Sequence, residues 1–130
     1  MTDTRPERVY GVLVRDGRVF LADYRGRPGL PGGVFRAMAD DRKGELRAHL
    51  YDALGIDARA IWAQGAFLYQ HPDEMDERFS GFYTVWEWDG EIPQEAGTWE
   101  GPTGVASANL PPSLKILLTS VLATQAIKTT

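Results

Sequence analysis

The amino-acid sequence predicts one α/β domain of the α+β kind, spanning residues 1–130, in which helices cover both faces of a mixed, mainly antiparallel sheet. Three observations lead to this prediction. Two apolar runs flank a tight-turn signal, two aromatic-rich runs occupy the middle of the chain, and two further segments repeat apolar residues at helical spacing. No linker, internal repeat or low-complexity segment interrupts the chain. The order hairpin, loop, helix, two strands, helix favours a layered sandwich over an all-β barrel.

The first predicted element is a hairpin made by residues 9–14 and 19–22. Asp16-Gly17 lies between the two runs, and this dipeptide is typical of a type I′ turn, whose central residues both have positive φ. Glycine and proline are concentrated in residues 25–33. We therefore expect that segment to be a loop without regular structure.

A helix is predicted over residues 41–54. Its start is indicated by Asp40 or Asp41 as the N-cap, and its end by Gly55, because glycine readily takes the left-handed conformation that closes a helix. Gly44 lies in the first turn and costs about 1 kcal/mol relative to alanine. The apolar positions with helical spacing are Leu46, Leu50, Ala53 and Leu54.

Two long strands are predicted at residues 60–69 and 79–88, separated by the acidic loop 71–77. The second strand is apolar on both faces, which indicates a sheet covered on each side. A short strand is predicted at residues 98–100, within a turn-rich stretch, and a final helix at residues 112–127. The apolar stripe of that helix consists of Leu114, Leu117, Leu118, Val121 and Leu122.

Composition excludes several classes of function. The chain has no cysteine, so disulfides, thiolate metal sites and thiol nucleophiles are excluded. The polar first residues and the lack of a long apolar run predict a cytoplasmic protein without membrane contact. The net charge is −4 and the 14 Lys and Arg residues form no stripe, which argues against duplex nucleic acid as a partner. The composition does not exclude a small phosphorylated ligand as the partner.

The segment from Leu30-Pro31-Gly32-Gly33 to the helix end Leu50-Tyr51-Asp52-Ala53-Leu54-Gly55-Ile56 resembles the Nudix family of diphosphate hydrolases. The family motif is Gly, five residues, Glu, seven residues, then Arg-Glu-apolar-any-Glu-Glu-any-Gly-apolar, after a Leu-Pro-Gly-Gly-like turn. The order of elements and the late Trp99 followed by Leu110-Pro111-Pro112 are also similar. The resemblance implies a Nudix-type α/β/α sandwich and chemistry at a diphosphate linkage.

Most of the motif's charged residues are replaced in this chain. Anchoring the motif on Gly55-Ile56 puts the family's Arg at Ala48, its first Glu at His49, and its last two Glu at Asp52 and Ala53. In the family, the glutamates hold Mg²⁺ or Mn²⁺, and the metal polarises the phosphoryl oxygens and activates a water. Only Asp52 remains acidic, so the resemblance implies weak metal binding and feeble hydrolysis.

The motif's early Glu falls on Asp40 from this anchor, and on Ala39 when counted from Gly33. The chain carries one extra residue between the two glycines that anchor the motif.

Two substitutes for the missing carboxylates are considered. Glu45, His49 and Asp52 are spaced i, i+4 and i+7 on one helix face, so they are candidate catalytic and metal-binding residues for Mn²⁺, Fe²⁺ or Zn²⁺. The alternative is a solvated face with a weak Glu45–His49 pair. The acidic residues 73–77 lie where some Nudix relatives place an extra catalytic glutamate, and the alternative is again a solvated loop.

The candidates for ligand binding surround the Gly-Gly turn. Arginines could hold phosphate there, and an aromatic ring could stack on a base, although each could equally be a surface or core residue. The ligand-binding candidates are Gly32, Gly33, Arg25, Arg27 and Arg36, with Tyr69, Phe82 or Trp86 for stacking.

Two functions of different classes follow from the sequence. The first is a Nudix-like protein that binds a nucleoside-diphosphate-linked small molecule and retains at most weak divalent-metal-dependent pyrophosphohydrolase activity. The second is a catalytically inactive fold that serves as a ligand sensor or protein-interaction module, favoured by the missing glutamates. The resemblance is compatible with a homodimer, but that inference rests on analogy.

Overall fold

The computed structural model describes residues 6–35 and 41–129, with side chains described for residues 6–35 and 41–125. The strands of this part are β1 (Arg8–Arg15), β2 (Arg18–Tyr24), β3 (Arg27–Gly29), β4 (Gly32–Val34), β5 (Asp57–Ala58), β6 (Ile61–Tyr69), β7 (Arg78–Val85), β8 (Trp88–Asp89) and β9 (Gly97–Glu100). The helices are α1 (Arg42–Leu54), α2 (Pro102–Ser107) and α3 (Pro112–Thr129), and a 3₁₀ turn covers Gln94–Ala96.

The main sheet has the strand order β3-β2-β1-β7-β6, with β4 paired to β1 and β9 paired to β2. The β1–β7 pair is parallel, and the other described pairs of this sheet are antiparallel. The prediction of a mixed, mainly antiparallel sheet is therefore confirmed. Strands β5 and β8 form a separate two-stranded ladder.

Side chains of β1 alternate between two hydrophobic clusters. Tyr10, Val12 and Val14 pack in the cluster that includes the buried residues of α3, whereas Val9 and Leu13 pack in the cluster that includes the buried residues of α1. Successive residues of a strand point to opposite faces of the sheet. The helices therefore cover the two faces, and the predicted α/β/α sandwich is confirmed.

Helix α1 has the predicted caps. The Asp41 carboxylate accepts a hydrogen bond from the Gly44 N–H at 2.9 Å, and Gly55 closes the helix with φ of 71°. A Cβ at Gly44 would overlap the Asp41 carboxylate, which explains a glycine in the first turn. Leu46, Leu50 and Leu54 are buried, but Ala53, predicted on the apolar face, is exposed.

Helix α3 begins at the predicted residue, Pro112, and extends two residues beyond the predicted end. Leu114, Leu118, Val121 and Leu122 are buried, and Leu117 is partly buried against the same cluster. Within the described part of the chain, no helix is both long enough and apolar enough to cross a membrane.

Three sequence predictions of regular structure need correction. Residues 25–33 are not irregular throughout, because β3 pairs with β2 and β4 pairs with β1. Pro28 fits in β3 because this strand lies at the edge of the sheet, where a missing N–H costs no ladder bond. The turn-rich stretch contains α2, and the strand predicted at 79–88 is divided into β7 and β8.

Candidate functional site

The Leu30–Gly33 segment, called the Gly-Gly turn below, is fastened to β1. The Gly11 N–H donates to the Pro31 carbonyl at 2.8 Å, and Gly32 and Gly33 lie opposite Tyr10 and Val9 in the β1–β4 ladder. Gly32 has φ of 155°, and a Cβ there would overlap the Val9 carbonyl oxygen. Glycine is therefore required at position 32 by the close approach of two backbones.

Gly33 makes room for the imidazole of His49 on α1. A Cβ at Gly33 would lie 2.8 Å from His49 Cε1 and 3.0 Å from Nδ1. The Nε2 atom of His49 lies 2.8 Å from the Val34 carbonyl oxygen, which can only accept, so Nε2 carries a proton and donates. In the neutral His49 ring, Nδ1 therefore carries a lone pair and can accept a hydrogen bond.

The proposed metal-binding set on α1 does not converge into a cation site in the described part of the chain. Asp52 is exposed, Glu45 and His49 are half-buried, and no group of three His, Cys, Asp or Glu side chains among the described residues could hold a metal ion. A hard divalent cation needs several oxygen ligands. These side chains as arranged do not fit Mg²⁺, and Ala48 and Ala53 add no ligand atoms.

Part of the acidic β6–β7 loop is held by an ion pair to β1 and by hydrogen bonds within the loop. Glu74 forms an ion pair with Arg8 of β1 at 2.7 Å, and this hydrogen bond to the Arg8 guanidinium is the main reason that the pKa of Glu74 is lowered. The Gln70 amide donates to the carbonyls of Glu74 and Met75 at 3.1 Å each. Glu74 is therefore already paired, whereas Asp73, Asp76 and Glu77 are exposed.

The predicted ligand-binding arginines lie in different places. Arg27, on β3, lines a cleft, while Arg25 is exposed at the β2–β3 turn with φ of 57°. Arg36 lies outside the described residues, as do Ala39 and Asp40, the two candidate positions for the motif's early glutamate.

The three aromatic candidates for base stacking are involved in packing. Phe82 is fully buried and Tyr69 is buried with one side at the cleft, so neither presents a free ring face to solvent. Trp86 is half-buried and packs against the α3-side cluster. The core interpretation of Phe82 and Tyr69 is therefore confirmed.

A cleft of about 420 Å³ lies between β3, the start of the β6–β7 loop and the segment before α3. One of its lining residues, His71, is in hydrogen-bond contact with Leu30 of the Gly-Gly turn. Its polar lining comes from Arg27, Gln70, His71 and Asn109. Sequence reasoning missed Gln70, His71 and Asn109. The positions immediately after a predicted strand and immediately before a predicted helix were a usable signal, because such residues often line ligand sites.

Phenol and imidazole groups are concentrated between the cleft and the core. Burial raises the pKa of Tyr10 and Tyr69, and it raises the pKa of Tyr24 to about 12. Burial also lowers the pKa of His71, and nearby Asp73 opposes that shift. These four groups are therefore neutral at pH 7.5, and they can orient a neighbouring group through hydrogen bonds without adding charge.

Comparison with known proteins finds the same architecture in solved structures. A MutT Nudix hydrolase from Burkholderia pseudomallei superposes with a TM-score of 0.72 at 18% identity, covering 87% of this chain and 95% of that one. A MutT protein from Bacillus halodurans gives 0.71 at 17% identity, with 91% and 82% covered. The ORF135 protein of E. coli gives 0.70 at 21% identity, with 94% and 91% covered.

No family model and no curated protein matches the sequence. At identities this low, the likeness to solved structures concerns the fold, so function has to be argued from the residues of the site.

Proposed function

Since the chain has the Nudix fold, we propose that it binds a small phosphorylated ligand of the nucleoside diphosphate class in the cleft lined by Arg27 and His71. The cleft carries this proposal. Its volume of about 420 Å³ is within the range of small-molecule sites, roughly 300–1,000 Å³. Its lining combines one cationic side chain with neutral hydrogen-bonding groups, which is the combination that a phosphorylated heterocycle requires.

Each polar lining residue has a chemical role in this proposal. The planar guanidinium of Arg27 offers paired N–H donors to a phosphate. The amide of Asn109 carries donors and an acceptor, so it suits the edge of a base. The N–H groups of the Gln70 amide donate to the carbonyls of Glu74 and Met75, so this amide offers a ligand its carbonyl oxygen. Arg25 is exposed at the β2–β3 turn and does not line the cleft, so no phosphate contact is assigned to it.

Hydrolysis is proposed to be feeble at most. A divalent cation such as Mg²⁺ or Mn²⁺ would supply Lewis-acid activation of a phosphoryl group, but Glu45, His49 and Asp52 do not form a site for it in the described part of the chain. We therefore assign no reaction step to these residues. Their remaining role in the proposal is weak cation binding on α1.

The test is binding and turnover measured on one panel. Calorimetric titration with ADP, ADP-ribose and deoxynucleoside triphosphates should detect at least one ligand, and Arg27→Ala should weaken that ligand's affinity by about tenfold, as expected for a lost charged hydrogen bond. Arg18→Ala is the matched control, since Arg18 is an exposed arginine outside the cleft. Phosphate release with Mg²⁺, Mn²⁺ and Zn²⁺ should stay close to background.

If no nucleotide binds and Arg27→Ala changes nothing, ligand binding is the wrong function. Rapid phosphate release with Mg²⁺ would instead show that the chain is a working hydrolase despite its missing glutamates.

A second candidate function is a non-catalytic interaction module, favoured by an apolar groove of about 440 Å³ between β6 and α3. Phe67, Leu117 and Ile116 line it, and Ile116 is 71% exposed. We propose a second copy of this chain as the occupant, because a protruding Ile116 lies beside the groove on the same surface. A two-fold axis could place each Ile116 in the partner's groove.

A further inference from the structure

The carbonyl of Leu30, where the Gly-Gly turn begins, accepts hydrogen bonds from two side chains. The Tyr24 hydroxyl donates to it at 3.1 Å, and His71 Nε2 lies 3.2 Å from the same oxygen. The Asp73 N–H donates to His71 Nδ1 at 3.1 Å. Nδ1 is therefore the acceptor of the neutral ring, so Nε2 carries the proton that is donated to Leu30.

The His71 ring is held in one orientation by its neighbours. It stacks on Tyr10 with ring centroids 5.3 Å apart and planes 5° apart, and it meets Tyr24 edge-on at 4.2 Å. His71 itself is buried. A ring packed on two sides and bonded at both nitrogens cannot rotate without breaking contacts.

His71 links the cleft to the Gly-Gly turn. One side of the residue lines the cleft together with Arg27 and Asn109, and its Nε2 bonds the first residue of the turn. Beyond Leu30, the Pro31 carbonyl accepts from the Gly11 N–H at 2.8 Å. A displacement of the Leu30 carbonyl would therefore shift the backbone that pairs with β1.

We propose that His71 is a positioning residue: by donating from Nε2 to the Leu30 carbonyl next to Tyr24, it fixes the Gly-Gly turn against β1 and so keeps the cleft in its ligand-binding shape. The part that concerns the ligand rests on the proposed function. The part that concerns the turn stands on the hydrogen bonds and ring contacts alone.

The charged and titratable groups around His71 come from five parts of the chain. The groups are Arg8 and Tyr10 on β1, Tyr24 on β2, Tyr69 on β6, Arg27 on β3, and Asp73 and Glu74 on the loop. Arg8 and Glu74 are paired with each other, and the tyrosines are neutral at pH 7.5. Protonation of His71 would place a proton on Nδ1, where the Asp73 N–H already donates.

The first measurement is amide hydrogen exchange of Gly11, whose N–H donates to the Pro31 carbonyl, with the amide of Leu118 in α3 as the reference for global unfolding. His71→Phe keeps a ring on Tyr10 but removes the donor, so exchange at Gly11 should rise about tenfold relative to Leu118, the usual effect of a lost buried hydrogen bond. His71→Gln places an amide donor near the Nε2 position and should restore most of the protection.

Tyr24→Phe, which removes the other donor, should raise the same exchange rate. If His71→Phe does not fold, Tyr24→Phe still tests whether the donors to the Leu30 carbonyl hold the Gly-Gly turn against β1. Tyr83→Phe is the matched control, because it removes a phenol from the opposite hydrophobic cluster. The natural protein should lose protection at Gly11 between pH 7.5 and 5.5, whereas His71→Gln should show no such change.

The second measurement is calorimetric titration with ADP. His71→Phe should weaken ADP binding about tenfold and His71→Gln should restore it. Unchanged exchange at Gly11 in both His71→Phe and Tyr24→Phe would overturn the positioning role. If exchange rises as expected but ADP binds neither the natural protein nor the His71 variants, the positioning role is supported. Nucleotide binding at the cleft is then the proposal that fails.

Discussion

At the scale of single residues, the Gly-Gly turn owes its glycines to packing as well as to backbone shape. Gly32 is required by the adjacent Val9 carbonyl, and a Cβ at Gly33 would crowd the ring of His49. The sequence resemblance predicts the motif's first glutamate position at His49, and His49 uses Nε2 to bond the Val34 carbonyl. The ring of His49 therefore packs directly against the end of the Gly-Gly turn.

We predict that Gly33→Ala destabilises the protein by about 1–3 kcal/mol, the usual cost of overpacking a filled site. The added methyl would lie 2.8 Å from His49 Cε1, so the ring must shift and stretch its bond to Val34. Urea denaturation measures the change in the free energy of unfolding. In a His49→Ala background the cost of Gly33→Ala should largely disappear, and equal costs in both backgrounds would show that the ring is not the cause.

We also predict that His71 makes stability fall as pH decreases below its ordinary pKa of 6.5. Burial lowers the pKa of His71 in the folded protein, so the unfolded chain binds the proton more tightly. Stability contributed by the neutral ring is therefore fully present above pH 6.5 and is lost as pH falls toward the folded-state pKa.

The measurement is urea denaturation at pH 7.5, 6.5, 5.5 and 5.0 for the natural protein and for His71→Gln. The difference in the free energy of unfolding between the two should shrink below pH 6.5. A difference that stays constant over this range would mean that His71 does not titrate differently in the two states.

At the scale of elements, local signals predicted well where one dipeptide or one stripe determines the structure. Asp16-Gly17 has the positive φ values of 53° and 73° that its residue types predict. Arg25-Gly26 forms a similar turn with φ of 57° and 86°, but an arginine gives no such signal. Strand β3 was missed for this reason, and because Pro28 is typical of a strand break when its edge position is not known.

The candidate site was harder to predict because its contacts are distant in sequence. His71 bonds a carbonyl 41 residues earlier, and Arg8 pairs with Glu74 from 66 residues away. Neither partner follows from periodicity or spacing. The sequence could place Arg27 near the Gly-Gly turn, but the histidine and amides of the cleft depend on how β3, the β6–β7 loop and α3 meet.

For helix α1, we predict that Ala48→Arg, His49→Glu, Asp52→Glu and Ala53→Glu made together create Mg²⁺ binding and measurable Mg²⁺-dependent hydrolysis of a nucleoside diphosphate derivative. Residues 49, 52 and 53 are spaced i, i+3 and i+4, so three carboxylates would share one face. Residues 48, 52 and 53 are exposed, which leaves room for the longer side chains. Their mutual repulsion should cost about 1 kcal/mol without metal, and bound metal should restore stability.

Melting temperature with and without Mg²⁺ and Mn²⁺, together with phosphate release, tests this variant. Thr119→Glu with Ala123→Glu is a control, since it adds acidic residues on the exposed side of α3. Metal-dependent stabilisation without hydrolysis would support the metal geometry and exclude the substrate assignment. No stabilisation by metal would mean that the motif is aligned incorrectly on α1.

At the scale of the whole molecule, the sheet ends on one side in β6, an uncharged edge strand with an apolar groove beside it. Within the described part of the chain, β6 pairs with β7 alone, and its nine residues carry no charge. A register shift between Ala63 and Gly65 interrupts this edge. Such an irregularity hinders pairing with a foreign strand, so the apolar groove next to it is the more favourable contact surface.

The final prediction is that the chain self-associates through this groove at high concentration and that Ile116→Asp weakens the association by about tenfold or more, the effect of losing one central apolar contact. Ile116 is 71% exposed on α3, beside Phe67 and Leu117, and its transfer into a partner's groove would remove apolar surface from water. Aspartate would instead bring an unpaired charge into that apolar contact.

Sedimentation equilibrium over a wide concentration range, run on the natural protein and both variants, is the measurement. Met75→Asp is the matched control, since Met75 is 90% exposed in the β6–β7 loop and lies outside the groove. A protein that stays monomeric at all concentrations excludes a second copy as the occupant. Equal weakening by Ile116→Asp and Met75→Asp would show that added negative charge, and not the groove, controls association, because the net charge of −4 already opposes contact between copies.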